Sequence, residues 1–225
     1  VVVAIYVGSL GLNLLMARTP SYPEVRLEAS VAEFTANLRH LLGQARMVRM
    51  LAGTALFWIC GAMLKMNFQP WGQQVLHLDS MTKIALLGLW LSVGVMLGSV
   101  LAGRLYRIGE LQATRLYAVL LAVGVAFLGF IEFAMRHGLG NPQPLVIGLL
   151  VLTGAFAGLF LIPLNAAIQT ESHQDKLGKT IATQNLLENA AMIGGSAFAW
   201  MNVTARFGPS ELFLSLAVLV SLAAA

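Results

Sequence analysis

The sequence predicts an all-α membrane protein. Of its 225 residues, 58% are apolar and 11% are charged, whereas a soluble globular domain is about 45–50% apolar and about 25% charged. The mean hydropathy is +0.78. Two apolar runs, 84–103 and 145–170, contain no charged residue, and each is long enough to cross a bilayer as a helix. Such uninterrupted runs lack the alternating pattern of a membrane β-barrel strand.

The same composition argues against several classes of protein. The net charge of +4 arises from 14 Lys and Arg against 10 Asp and Glu. These charges are dispersed along the chain, so we expect no nucleic-acid partner. A single cysteine, Cys60, excludes an internal disulfide framework and a cysteine metal cluster. The sequence contains no phosphate-binding loop, hydrolase elbow or metalloprotease motif, and we expect neither an enzyme nor a cofactor.

Seven apolar segments are predicted to be transmembrane helices. In chain order they are residues 1–16, 49–75, 82–103, 115–135, 145–169, 180–203 and 210–225. The first and the last have about 16 residues, fewer than the ~20 that cross a bilayer. We therefore expect a fragment that is cut inside one transmembrane helix at each end.

The distribution of Lys and Arg predicts how these helices are oriented. Connectors 17–49, 104–115 and 170–179 carry ten Lys or Arg residues, and the alternate connectors carry three. Because cytoplasmic loops are enriched in Lys and Arg, the first set of connectors is expected in the cytoplasm.

The long first connector is predicted to contain an amphipathic helix. Ser30 and Glu33 have the spacing of a capping box, which predicts that the helix begins at Ser30. Apolar side chains from Phe34 to Ala45 fall on one face, and polar side chains from Arg39 to Arg46 fall on the other. Two interpretations stay open: the helix lies on the lipids of the cytoplasmic leaflet, or it packs on its own protein.

A long cytoplasmic connector followed by six spans is the arrangement that separates the two six-helix halves of a major-facilitator transporter. On that interpretation residues 1–16 are the end of transmembrane helix 6, and residues 17–48 are the cytoplasmic linker. Residues 49–225 are then the six-helix C-terminal bundle, helices 7–12, with the last one truncated. The N-terminal half of the same transporter would be its partner.

Function in such a protein is read from polar groups at membrane depth, because they are costly there. Lys65 lies within a predicted span and is followed by Asn67 and Gln69. An ammonium in hydrocarbon needs a partner, water or an anionic ligand, and the alternative is that it snorkels to the interface. We expect these three residues to line a substrate path.

A second polar group lies in the predicted span 180–203. At 100° per residue, Gln184 and Glu188 fall in one row with Thr180, and Asn185 and Asn189 form the next row. This stripe favours the lining of a water-filled path, and the alternative is interhelical hydrogen bonding that only holds the helices together.

Two further features lie in the remaining spans. Pro163 removes a backbone hydrogen bond, and Asn165 and Gln169 follow it one turn apart, as in the broken helices of transporter paths. A purely structural kink is the alternative. Glu132 lies four residues before Arg136, which predicts an ion pair without a functional role. The Gly-x-x-x-Gly pairs at 94–98 and 154–158 are predicted to let helices pack closely.

Three stretches resemble helices of bacterial lysophospholipid transporters, which belong to the major facilitator superfamily. The segment Gly53–Trp58, with Lys65 and Trp71 after it, is similar to the seventh helix of that family. Residues 162–169 (IPLNAAIQ) resemble its tenth helix, and residues 184–192 (QNLLENAAM) resemble its eleventh. The family usually has Arg at the position of Lys65; Lys keeps the charge but lacks the bidentate fork of a guanidinium.

The resemblance implies a multi-pass protein of the bacterial inner membrane that flips lysophosphatidylethanolamine and lysophosphatidylglycerol from the outer to the inner leaflet. It also implies a cytoplasmic acyltransferase/acyl-ACP synthetase partner, which is fused to the transporter in some bacteria. We expect Lys65 to meet the phosphodiester and Gln184, Asn185, Glu188 and Asn189 to bind the headgroup. Glu188 would meet an ethanolamine ammonium or pair with Lys65 in the empty state. Two alternatives stay open: an exporter of another amphipathic substrate that is proton-coupled through Glu188, and the membrane anchor of a fused acyltransferase.

Overall fold

The computed structural model describes residues 2–16, 27–106, 111, 113–172 and 176–224, and this part of the chain folds as helices and connectors. Its helices are α1 (Val2–Leu14), α2 (Leu27–Leu42), α3 (Ala45–Gln74), α4 (Met81–Leu105), α5 (Thr114–Arg136), α6 (Gln143–Glu171), α7 (Leu177–Thr204) and α8 (Pro209–Ala224). The all-α prediction is confirmed, and each predicted span coincides with one helix to within a few residues.

Four of these helices, α3 to α6, are long and apolar enough to cross a membrane by length and composition. Helices α1 and α8 are apolar but shorter. Helix α7 has 28 residues, yet it is not among the helices apolar enough to cross a membrane, because polar residues such as Gln184, Glu188 and Asn202 interrupt it. The span predicted at 180–203 is therefore the one that composition alone supports least.

The chain divides into two compact units, Val1–Ala36 and Asn37–Ala225. In the first unit, the described side chains of α1 are exposed along the whole helix. Helix α2 begins at Leu27, so the prediction that it begins at a Ser30 capping box is wrong. Ser30 lies inside the first turns, because the good helix former Leu27 and its neighbours continue the helix N-terminally.

In the second unit the end of α2 packs on its own protein. Leu41 is buried in the hydrophobic core, and Asn37 is buried beside it. The helix ends at Leu42, and α3 begins at Ala45. Ala45 and Arg46, which the amphipathic pattern assigned to the connector helix, therefore belong to α3.

Helices α4 and α6 lie closest together, and glycines allow it. A Cβ built on Gly94 would stand 2.2 Å from the carbonyl oxygen of Val151, and one on Gly98 would stand 2.0 Å from that of Ala155. Gly154 and Gly158 meet the backbone of α4 in the same way. The two helices run parallel, since the contacts advance together along both. The prediction that these glycines mediate packing is confirmed.

Helix α3 occupies the centre of the second unit and packs against α4, α6, α7 and α8. Trp71 is fully buried and meets Phe213 of α8 edge to face, with ring centroids 5.1 Å apart. Helix α5 packs against α6 and α8. Glu132 of α5 pairs with Arg136 as predicted, and its second oxygen accepts a hydrogen bond from Ser210 at 2.6 Å, which ties α5 to α8.

Candidate functional site

The polar stripe of α7 divides into a buried row and an exposed row. Thr180, Gln184 and Glu188 are buried, whereas Asn185 and Asn189 are exposed. The buried row points the same way as Gly195, whose built Cβ would stand 3.2 Å from Ile59 of α3. The row assignment made from helical periodicity is therefore borne out, and the buried row faces the neighbouring helices.

Gln184 joins the two predicted polar groups into one cluster. Its Nε2 donates to Oδ1 of Asn165 on α6 at 2.8 Å and to Oε1 of Glu188 at 2.7 Å. Helix α6 continues through Pro163 to Glu171 without a break. Asn165 lies half-buried just after this proline, so residues 162–169 of α6 and residues 184–192 of α7 meet at a side-chain hydrogen bond.

Glu188 is the acidic member of this cluster, and it has little access to solvent. It is 6% exposed. Within the described residues, no Lys, Arg or His forms a salt bridge with it, and no group of potential metal ligands surrounds it. An ionised carboxylate buried without a cationic partner is costly. A cationic group that reaches the carboxylate of Glu188 would offset this cost.

Lys65 is exposed on α3 and lies apart from this cluster. Trp58, Lys65 and Gln69 share one exposed face of the helix, as their spacing of seven and four residues requires. Lys65 makes no ion pair with Glu188. At 1.5 Å per residue, the contacts of α3 with α6 and α7 place the two residues on the order of 10–20 Å apart along the helix axes.

The exposed polar residues of α3 and α7 nevertheless lie on the same side of this helix pair. Helix α3 runs antiparallel to α6, since Arg46 pairs with Glu171 and Gly53, seven residues later, lies against Leu164. Helix α7 follows α6 after a short connector and contacts it through Gln184 and Asn165, so it is also antiparallel to α6 and therefore parallel to α3. Lys65 is about 120° from the α7-facing Ile59 in one sense, and Asn189 is about 120° from Gly195 in the opposite sense. For parallel helices that face each other through Ile59 and Gly195, both directions point to the same side of the pair.

The remaining predicted path residues differ in their surroundings. Asn67 is buried, and its Nδ2 donates to the carbonyl oxygen of Pro209 at 2.7 Å, so it ties α3 to α8 away from the exposed face. Gln169 is exposed near the end of α6. Asn189 donates to the backbone carbonyl of Asn185 at 2.7 Å, which leaves its side-chain oxygen available on the surface.

One ion pair near the site could not be found from sequence patterns. Arg46, at the start of α3, donates from Nε to Oε1 of Glu171, at the end of α6, at 2.7 Å. The two residues are 125 positions apart, and no periodicity relates them. The pair joins the ends of α3 and α6 on the side that the Lys and Arg distribution assigns to the cytoplasm.

Comparison with known proteins identifies the relatives of this chain. The sequence profile of the Major Facilitator Superfamily matches residues 1–196. A protein named lysophospholipid transporter LplT from Klebsiella pneumoniae is 31% identical over 84% of this chain and 46% of its own length. Proteins of the same name from Enterobacter (32%) and Photorhabdus laumondii (33%) match 64% of this chain and 34% of theirs.

The chain thus spans about half the length of the first of these relatives and a third of the other two. No solved structure matches it significantly.

Proposed function

The chain belongs to the Major Facilitator Superfamily, and from that premise we propose that the protein transports lysophospholipids from the outer to the inner leaflet of a bacterial inner membrane. Lysophosphatidylethanolamine and lysophosphatidylglycerol are the proposed substrates. The relatives named lysophospholipid transporter, at about 30% identity, support this substrate class.

The observation that carries the proposal is the buried cluster of Asn165, Gln184 and Glu188 beside an exposed polar strip. A lysolipid has one acyl tail and a phosphate headgroup. Its headgroup needs polar surroundings across the hydrocarbon, while its tail is stable in lipid. The exposed residues Asn185, Asn189 and Lys65, which define this strip, are distributed over roughly 20 Å along the helix axes, a large part of the ~30 Å hydrocarbon thickness.

Each charged group then has a role set by its surroundings. Lys65 is exposed and without an ion pair in the described residues, so its ammonium is available to the phosphodiester. Glu188 has no cationic partner among the described residues, and an ethanolamine ammonium that reaches its buried carboxylate would supply one. Because the two are separated along the axis, they would meet the headgroup at successive depths, as the two halves of the transporter rock around the path.

Transport of labelled lysophosphatidylethanolamine into spheroplasts that express the protein in full tests this proposal. We expect Lys65→Ala and Glu188→Ala each to reduce the initial rate at least about tenfold. Met66→Ala and Leu186→Ala are matched controls, because both side chains are exposed neighbours on the same helices. Wild-type transport rates in both Lys65→Ala and Glu188→Ala would refute the assigned roles. A wild-type protein that does not transport lysophosphatidylethanolamine would refute the proposed substrate.

The burial of Glu188 also favours a second candidate, a proton-coupled exporter of another amphipathic compound. In that protein a proton would be the missing cationic partner. A transport rate that follows the pH gradient and is indifferent to lysolipid would support this function over the first.

A cytoplasmic acyltransferase/acyl-ACP synthetase is the proposed partner of the lysophospholipid transporter, because a lysolipid delivered to the inner leaflet needs a second acyl chain. If the protein were only the membrane anchor of such an enzyme, variants of the polar cluster would lose stability and no transport would be measured in the wild type.

A further inference from the structure

A groove lies between the N-terminal ends of α4 and α6. One wall is formed by Lys83, Leu86, Leu87 and Trp90, which share one face of α4. The other is formed by Gln143, Val146 and Ile147 of α6, and the connector between α3 and α4 closes one side. None of these residues belongs to the cluster around Glu188 or to the exposed polar strip.

The polarity of the groove changes with depth. Lys83 and Gln143 are exposed at its mouth, in the first turn of each helix. Leu87 and Val146 are buried at its floor, 6% and 1% exposed. Trp90 lies seven residues below Lys83, which is about 10 Å along the helix. The groove therefore has a cationic mouth, formed by Lys83, and an apolar slot beneath it.

The size of the slot limits its occupant. Its cavity volume is about 190 Å³, below the roughly 300–1,000 Å³ of pockets that enclose small molecules. Part of one extended chain fits this volume better than a compact ligand or two chains side by side. Helices α4 and α6 begin on the side that the Lys and Arg distribution predicts to be outside, so the groove opens at the outer leaflet.

The charges at the mouth are available for a headgroup. Lys83 forms no ion pair within the described part of the chain, and neither does Asp79, which lies exposed four residues earlier. The ammonium of Lys83, which lines the groove, complements a phosphate. The carboxylate of Asp79, next to Leu78 in the connector that closes the groove, carries the charge that complements the amine of a phosphoethanolamine headgroup.

We propose that this groove is an outer-leaflet binding site for a single-chain phospholipid, with the phosphate at Lys83 and the acyl chain along Leu86, Leu87 and Trp90. This inference rests on the proposed transport of lysophospholipids and adds a site at which the substrate is captured before it reaches the path. Capture is a binding step, so its loss raises the substrate concentration needed for transport and leaves the maximal rate unchanged.

The test uses the protein expressed in full and two pairs of variants. Leu86→Trp fills the slot, and Leu89→Trp places the same ring on an exposed position of α4 outside it. Lys83→Gln removes the cation, and Arg206→Gln removes one from another outer connector. We expect the apparent KM for lysophosphatidylethanolamine to rise about fivefold or more in Leu86→Trp and Lys83→Gln, with an unchanged maximal rate, and to stay at the wild-type value in both controls.

Photocrosslinking with a lysophosphatidylethanolamine that carries a photoreactive acyl chain provides a second readout. We expect label on α4 between residues 83 and 90, competed by unlabelled lysophosphatidylethanolamine and not by diacyl phosphatidylethanolamine. Equal competition by the diacyl lipid would overturn the inference in favour of an ordinary annular lipid.

Normal KM values in the groove variants, with active wild-type protein, would overturn the groove site and leave the proposed function intact. A wild-type protein that neither transports nor binds lysolipid would overturn both.

Discussion

At the scale of single residues, the amide of Gln184 is the link that holds the candidate site together. It donates to Asn165 on α6 and to Glu188 on its own helix. A glutamine suits this place because its NH₂ offers two donors, whereas a hydroxyl offers one. Without it, the buried carboxylate of Glu188 would lose the hydrogen bond that it accepts from a side chain among the described residues.

Replacement of Gln184 by Ala is therefore expected to destabilise the protein by about 1–3 kcal/mol, the cost of leaving buried polar groups unsatisfied. The thermal unfolding midpoint of the purified protein in detergent measures this effect. Asn185→Ala, on the exposed neighbouring row, is the control and should change the stability by less than about 0.5 kcal/mol. Equal midpoints for the two variants would contradict the importance of the cluster.

Residue-scale patterns predicted the site only in part. The periodicity of α7 separated Gln184 and Glu188 from Asn185 and Asn189 correctly, because a regular helix fixes those directions. It could not show that Asn67, two residues after Lys65, is buried against Pro209. That contact joins positions 142 residues apart, and it depends on how the helices pack.

At the scale of helices, the parallel pair of α4 and α6 is the most tightly constrained element. Each helix offers glycines to the backbone of the other, so the axes approach more closely than side chains would permit. The spacing of glycines in the sequence identified the motif, but it could not identify the partner. The structure pairs the two motifs with each other.

Gly98→Ala is expected to force α4 and α6 apart. Its Cβ would stand 2.0 Å from a backbone oxygen that cannot turn aside, and overpacking of this kind costs about 1–3 kcal/mol or more. Gly88→Ala on α4 and Gly148→Ala on α6 are controls with no atom within 4 Å of the new methyl group. Thermal unfolding should show a lower midpoint only for Gly98→Ala, and a loss in the controls as well would indicate a general intolerance of helix substitution.

At the scale of the whole molecule, hydropathy predicts more of the structure than the site motifs do. Among the described residues, the apolar runs located each long helix, because burial in lipid requires a long, predominantly apolar helical segment. Helix α7 agrees in length but not in hydropathy. Its polar cluster faces α3 and α6. The polar side chains of this cluster lower the mean hydropathy of the helix although they do not contact lipid.

The predicted sidedness leads to a labelling experiment. Cys60 is buried, so the native thiol should give a low background with a membrane-impermeant maleimide. We expect His137→Cys, in an outer connector, to react in intact cells. Lys176→Cys, at the start of α7, should react only after permeabilisation. The reverse pattern would invert the orientation and move the groove between α4 and α6 to the cytoplasmic side.

The glycine contact between α4 and α6 also limits how deeply an acyl chain can enter the groove from its outer end. Trp90 lines the slot, and four residues further on Gly94 touches the backbone of α6. The slot therefore ends at this contact, where no space remains between the two helices. An acyl chain can extend only as far as this contact, and any further carbon atoms must leave the slot sideways into the bilayer. Affinity should accordingly climb with tail length among short homologues and then level off.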